Sequence, residues 1–213
     1  MNKHNRFLST TSDEMKQRGW DELDVVLITG DAYIDSPFMG IAVVGRILED
    51  IGLRVGIIGQ PDINSDVDIK RLGEPKLFWG VSGGSIDSMV SNYTATKKFR
   101  NDDDYTPGGK NNKRPDRATL VYTNLIRRYF KNTVPIVLGG IEASLRRLTH
   151  YDYWSNTLRK PILFDSKADY MIYGMGEQAI IDLGLYLKEG KDVRTIAGLC
   201  YISKEPVKEY LQI

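Results

Sequence analysis

Four short apolar runs in this sequence end in glycine, and those ends are where its chemistry is expected. They are Gly30, Gly83-Gly84, Gly139-Gly140, and Gly174 with Gly176, the last followed at once by Glu177. Glycine lets backbone approach a ligand closely, and a helix starting just after it points amides outward. Such amides suit a phosphate, a nucleotide or a corrinoid tail. The plainer role of the same glycines is a tight strand-to-helix turn. One loop would not separate the two roles; four at corresponding positions bring the ligand role level with the plainer one. The fullest example is Val134 to Ser144, where an apolar run meets Gly139-Gly140 and then Glu142, Ala143 and Ser144.

Other chemistries fit less well. There is no Gly-x-Gly-x-x-Gly, no Walker lysine motif and no Gly-x-Ser-x-Gly nucleophile turn. Glu142 and Glu177 each fall near a helix start, where a carboxylate is favourable with or without a ligand. Lys97 to Arg117 holds seven basic residues, but its four acidic ones argue against a plain polyanion patch. Asp102-Asp103-Asp104 lacks the spaced ligands of a calcium loop. Tyr151, Tyr153 and Trp154 lie between Arg146-Arg147 and Arg159-Lys160; such residues stack bases or pack against a second domain, and packing is the favoured reading. His150 has no nearby His or Cys to share a zinc ion. Cys200 reads as a small buried hydrophobe.

These loops need a scaffold, and the pattern supplies one. Strands are expected at 23–28, 54–59, 76–81, 134–138 and 169–173, with one more possible at 196–202. The continuous run Val25 to Ile28 suits a strand covered on both faces. Ser36-Pro37 reads as a helix start, followed by Ile41, Val44, Leu48 and Ile51 at helical spacing. Further helices are expected near 65–72, from Pro115, over 143–148 and from Glu177 to about Lys188. Five strand–helix alternations predict an α/β fold: a doubly wound, Rossmann-like or flavodoxin-like parallel sheet of about five strands, with helices on both faces. Residues 1–22 read as a polar arm, 23–200 as the domain, and 201–213 as the start of a linker.

Composition bounds the rest. With 213 residues, 41% hydrophobic and 27% charged, the chain can bury a sizeable core. A net charge of +1 makes no general case for nucleic acid or membrane as a partner. One cysteine permits no internal disulfide and no multi-cysteine metal site. The N-terminus lacks the apolar segment of a secretory signal, so a cytoplasmic location is expected.

Longer strings carry a resemblance. Asp31-Ala-Tyr-Ile-Asp-Ser-Pro37, Asp87-Ser-Met, Tyr105-Thr-Pro-Gly-Gly109 and Lys113-Arg-Pro-Asp-Arg-Ala118 are four of its landmarks. Gly139-Gly-Ile-Glu-Ala-Ser-Leu-Arg-Arg147, His150-Tyr-Asp-Tyr-Trp-Ser155, Lys167-Ala-Asp169 and Tyr173-Gly174 complete them. Together they resemble the N-terminal region of the YgiQ family of radical SAM iron–sulfur proteins. That resemblance implies a downstream core with a [4Fe–4S] cluster on Cys-x-x-x-Cys-x-x-Cys, S-adenosylmethionine on its open iron, and a radical acting on a substrate undefined for the family. With one cysteine, this chain lacks the cluster motif and is expected to be inactive alone. The implied role is an accessory domain that covers the core and helps bind substrate or cofactor. Its tentative binding residues are Gly83, Gly84, Gly139, Gly140, Gly174, Gly176 and Glu177, with 97–117 and 150–155 facing the core. The region is also similar to cobalamin-binding-type domains. Base-off members carry Asp-x-His-x-x-Gly; here Tyr33 replaces the histidine and Ser36 the glycine, which removes a histidine ligand to cobalt. The alternatives are a stand-alone module for a corrinoid or nucleotide, and a docking domain without a ligand.

Overall fold

The apolar runs become strands covered on both faces. In the computed structural model, which describes residues 7–204, β1 (Val25–Thr29) is buried along its whole length. On one side of it lies β2 (Val55–Gly59), on the other β3 (Phe78–Ser82), both parallel, with Val25 opposite Val55 and Phe78. Next come β4 (Ile136–Gly139) and β7 (Tyr170–Ile172), also parallel. The segment expected over 196–202 forms β8 (Leu199–Tyr201) and runs antiparallel, pairing Tyr201 with Tyr170. The sheet order is β2-β1-β3-β4-β7-β8. A separate hairpin joins β5 (His150–Asp152) to β6 (Thr157–Arg159).

Alternation along each strand divides the core. Val26, Ile28, Trp79, Val81 and Leu138 face one layer, with Tyr122, Leu125 and Ile126 of α5 (Ala118–Tyr129). Short helices α1 (Ser12–Gln17), α3 (Val67–Lys70) and α7 (Ile162–Ser166) complete that layer through Met15, Ile69, Ile162 and Leu163. Val25, Leu27, Ile57, Phe78 and Val137 face the other layer, with Leu48 of α2 (Gly40–Asp50) and Leu183 of α8 (Glu177–Glu189). Helices thus cover both faces, as a doubly wound sheet requires. The two long helices touch where Gly184 is: a Cβ there would meet Leu53 at 2.9 Å and Leu48 at 3.3 Å. Among the described residues no helix is long and apolar enough to cross a membrane.

Three expectations change. Ser36-Pro37 does not open α2; it makes a turn, with the Met39 amide donating to the Ser36 carbonyl, and the helix begins at Gly40. The segment read as a polar arm contributes to the fold from residue 8 onward: Leu8 is fully buried, and Ser9 bridges Gly56 on the edge of β2. Helix α1 then starts on a capping box, Thr11 with Glu14, and Arg18 ties it to Glu49 at 2.6 Å. The stretch from Ile86 to Arg114, which lacks clean periodicity and reads from the sequence as a long functional or disordered connection, carries local structure. It opens with α4 (Ser88–Asn92) and is held by bridges Tyr93–Phe99 and Asp102–Lys110. Residues 1–6 and most of the expected linker, 205–213, lie outside the described residues.

Tyr122 sits in the middle of the first layer, and its buried hydroxyl has no hydrogen-bond partner among the described residues. Burial also pushes its phenol well above the usual value. An unsatisfied buried donor costs about 1–3 kcal/mol. Tyr122→Phe should therefore leave the fold intact and raise stability by about 1 kcal/mol; a lower urea midpoint for the variant would show that the hydroxyl is satisfied.

Candidate functional site

The sheet order reverses between β1 and β3, since the chain goes outward to β2 and then returns across β1. In open α/β sheets the crevice at such a reversal, beyond the carboxyl ends of the strands, is where ligands bind. A cleft of about 390 Å³ lies there. Its floor is the set of residues that face the α2–α8 layer: Leu27, Thr29, Gly80, Ser82, Val137, Gly139 and Ile172. One wall is the start of α2, with Pro37, Met39, Gly40, Ile41 and Val44; the other is Met175 to Glu177 and Ile180 of α8.

Six of the seven expected site residues line this cleft: Gly84, Gly139, Gly140, Gly174, Gly176 and Glu177. Gly83 does not. It is packed backbone to backbone, because a Cβ on Gly30 would lie 2.1 Å from the Gly83 carbonyl oxygen, and a Cβ on Gly83 would strike the Glu142 carboxylate. Its glycine serves close packing. Gly84 has φ +114°, and a side chain there would collide with Asp31. Gly139 is different: its backbone is extended at φ −154°, and a Cβ there meets no atom within 4 Å.

Beneath the rim lies a charged network that the glycine pattern did not reveal. Arg114, from the end of the 97–117 segment, is fully buried. Its Nη2 donates to Asp31 Oδ1 at 2.7 Å, its Nε to the Gly30 carbonyl at 3.0 Å, and its Nη1 to Ser91 Oγ. Asp103 stands 3.4 Å from the same guanidinium and takes a 2.6 Å bond from Thr106 Oγ1. Asp31 also accepts from the Ser85 amide at 2.6 Å. Burial is the largest influence on Asp31 and raises its carboxyl above the usual range, against the Ser85 bonds and Arg114. Asp103 of the acidic triplet is thus part of this structural network. Gln60 bridges the Gly30 carbonyl and Thr106 from β2's end.

Glu142 anchors the second half. It is 1% exposed, in the first turn of α6 (Gly140–Leu145). Its Oε2 accepts from the Ser88 amide at 2.8 Å and its Oε1 from the Thr119 amide at 2.9 Å. Those amides belong to the first turns of α4 and α5. Asp87 caps α4 through the Met89 amide at 2.9 Å and pairs with Arg146. Glu142 is structural and does not line the cleft.

The segments 97–117 and 150–155 meet each other. Tyr93 packs on Trp154 at 5.2 Å and on Phe99 at 5.6 Å; Lys97 covers the Tyr153 ring at 4.6 Å. Asp152 holds the hairpin, accepting from Arg117 Nη2 at 2.7 Å, the Ser155 amide at 3.1 Å and the Ser155 hydroxyl. Burial works against the Asp152 anion, but these bonds outweigh it and hold the carboxyl at about 2.

Among the described residues no group of three His, Cys, Asp or Glu is placed to hold an ion, and the one cysteine, Cys200, is half-buried on β8, so the residues present do not fit an iron–sulfur cluster. Tyr33, at the position of the cobalamin-type histidine, accepts a bond from the Leu8 amide at 3.1 Å and lies outside the cleft lining.

Fold and site together define a flavodoxin-like α/β domain with a cleft at its topological switch point. Residues 7–213 match the radical SAM N-terminal family, and the chain belongs to that family. A UPF0313 protein of Fusobacterium nucleatum is 60% identical over 209 residues, covering 98% of this chain and 37% of its own length. UPF0313 protein YgiQ of Salmonella typhimurium is 54% identical over 190 residues, covering 89% of the chain and 26% of its own. The chain therefore spans about a third of such relatives. Among solved structures, the radical S-adenosylmethionine methyltransferase TsrM of Kitasatospora setae, with tryptophan and a SAM analogue bound, aligns with TM-score 0.56 and 19% identity, over 85% of this chain and 29% of that one. A TsrM structure with cobalamin and a [4Fe–4S] cluster aligns at 0.55. These two share the fold.

Two outcomes test the network. Glu142→Gln replaces one acceptor by an NH₂ facing a backbone N–H, which should cost about 1–3 kcal/mol, read from chemical denaturation. The depressed Asp152 carboxyl adds stability above the usual carboxylate range, and this is lost as pH falls toward about 2. Hydrogen exchange at the Ser155 amide should accelerate in that window, and Asp152→Asn should abolish the pH step.

Proposed function

We propose that this domain is the N-terminal part of a radical SAM [4Fe–4S] protein, and that its cleft holds part of a substrate or cofactor against a downstream core. The observation that carries the reading is the cleft itself: six glycine-loop residues and three helix starts around one cavity at the switch point. In this reading the cluster, with the S-adenosylmethionine on its open iron, belongs to the downstream part, since the described residues here offer no group to ligate a cluster. What the domain does is bind, orient and exclude water.

The rim supports the second half of the proposal. Phe38 and Met175 flank the cleft, each 92% exposed, and Leu145, on the helix that opens at the lining residue Gly140, is 61% exposed. Exposed apolar side chains gathered beside a cavity mark a contact surface. In this reading the downstream core covers that rim and closes the cleft. The same rim favours the alternative of a docking domain without a ligand. A stand-alone module for a corrinoid or nucleotide is the other alternative; it predicts tight binding with no core present.

Gly139→Leu separates these readings, because the new side chain enters the cleft without backbone strain. Titration calorimetry with hydroxocobalamin and adenosine should find weak binding of at least one to the wild-type chain and of neither to the variant, at equal thermal stability; tight one-to-one binding without the core favours the stand-alone module instead. If neither binds the wild type while Leu145→Asp weakens association with the separately expressed downstream part, the docking reading stands instead.

A further inference from the structure

The lining of the cleft carries chemistry beyond its shape. It contains no Lys, Arg or His side chain among the described residues. It does contain the hydroxyls of Thr29, Ser82 and Ser85 and the carboxylates of Asp31 and Glu177. Glu177 is exposed at the mouth and makes no ion pair or hydrogen bond among the described residues. The floor between these groups is aliphatic, from Leu27, Val137 and Ile172.

Arg147, near the rim at Gly174, is held by the Ser144 carbonyl and the Tyr173 ring, and Arg114, bonded to the lining residue Asp31, is not available to a ligand. It is fully buried and shared between Asp31 and Asp103, so that trio already carries one formal negative charge in excess. Glu177 adds a second. The starts of α2, α6 and α8 line the cleft and answer with up to about half a positive charge each. The balance is still negative. A carboxylate or phosphate entering here would lose its hydration and gain no cationic partner, which is unfavourable. An uncharged ring or an amine loses little, and its polar atoms find the hydroxyls and the free amides of Gly40 and Ile41.

We infer that the cleft takes an uncharged or cationic ligand with a flat apolar body, and excludes the anionic part of any nucleotide or corrinoid. The inference rests on the reading of the cleft as a ligand site and narrows it. A corrinoid or nucleotide held by this domain would place its uncharged ring in the cleft and its phosphate outside, beyond Phe38 and Met175.

A charge series on one ring tests this. Naphthylmethylamine, naphthylmethanol and naphthoate carry a positive charge, none and a negative charge at neutral pH on the same bicycle, which a cavity of about 390 Å³ admits. Titrated into the 213-residue chain and followed by NMR shifts of the Gly139, Gly174 and Gly176 amides, the amine and the alcohol should bind at least about tenfold more tightly than the carboxylate. Glu177→Lys should reverse the order of amine and carboxylate, and Glu177→Gln should bring amine and alcohol level. Gly139→Leu should remove all three responses, which ties them to this cleft. Naphthoate binding the wild type as tightly as the alcohol would overturn the inference and leave the ligand site standing. No response from any probe would overturn the site reading together with the inference.

Discussion

Both oxygens of one buried carboxylate hold this edge of the sheet together. Glu142 leaves β4 at the first turn of α6 and accepts the amides of Ser88 and Thr119, which open two other helices. A helix start left unpaired in a dry interior is costly, and here one side chain answers two of them. The arrangement also explains a backbone restriction: Gly83 must be glycine because the carboxylate fills the space a Cβ would need. Arg114 performs the complementary task across the switch point, neutralising Asp31 and satisfying the Gly30 carbonyl. Breaking such a buried pair from one side leaves an uncompensated charge, at a cost of about 3–5 kcal/mol. The cleft is thus bordered by two rigid polar clusters, and its glycines can stay open without the loops collapsing into it.

Much of the scaffold was legible because its strands are covered on both faces. Val25 to Ile28 and Ile136 to Leu138 read as continuous apolar runs, and burial on both sides is what makes them so. Helix α2 was legible in its spacing but not in its start. Ser36-Pro37 satisfies a capping pattern, yet the chain needs those residues for a turn over the cleft wall. The role of residues 8–11 was hidden because it depends on β2's edge being free, a tertiary fact. The cleft residues were legible as glycines at strand ends. The polar network was not, because Arg114 and Asp103 come from a segment whose many charges look solvated until the fold shows which ones turn inward. Asp31, Asp87, Arg114 and Glu142 fall inside the strings that carry the family resemblance, Asp103 outside them, and the four are buried polar groups with specific partners.

The aromatic segment shows the opposite case. Tyr153 and Trp154 looked available for a partner, but they are largely engaged with Tyr93, Lys97 and the Ala95 carbonyl. What they achieve is to staple the hairpin to the loop that carries Arg114. A cation over a ring and tilted ring pairs each contribute on the order of 1 kcal/mol. The hairpin is therefore coupled to the buried network that borders the cleft.

The antiparallel course of β8 has a consequence for anything joined after it. Tyr201 pairs with Tyr170, at the foot of the sheet, so the chain departs from the edge opposite the cleft. A following segment that is to lie over Phe38 and Met175 must climb back the height of the sheet, roughly 17 Å for a five-residue strand. Such a leash makes closure an intramolecular encounter governed by effective concentration, tuned by the length and stiffness of the connection. In the proposed arrangement, a core tethered in this way would cover and uncover the cleft without the two parts separating.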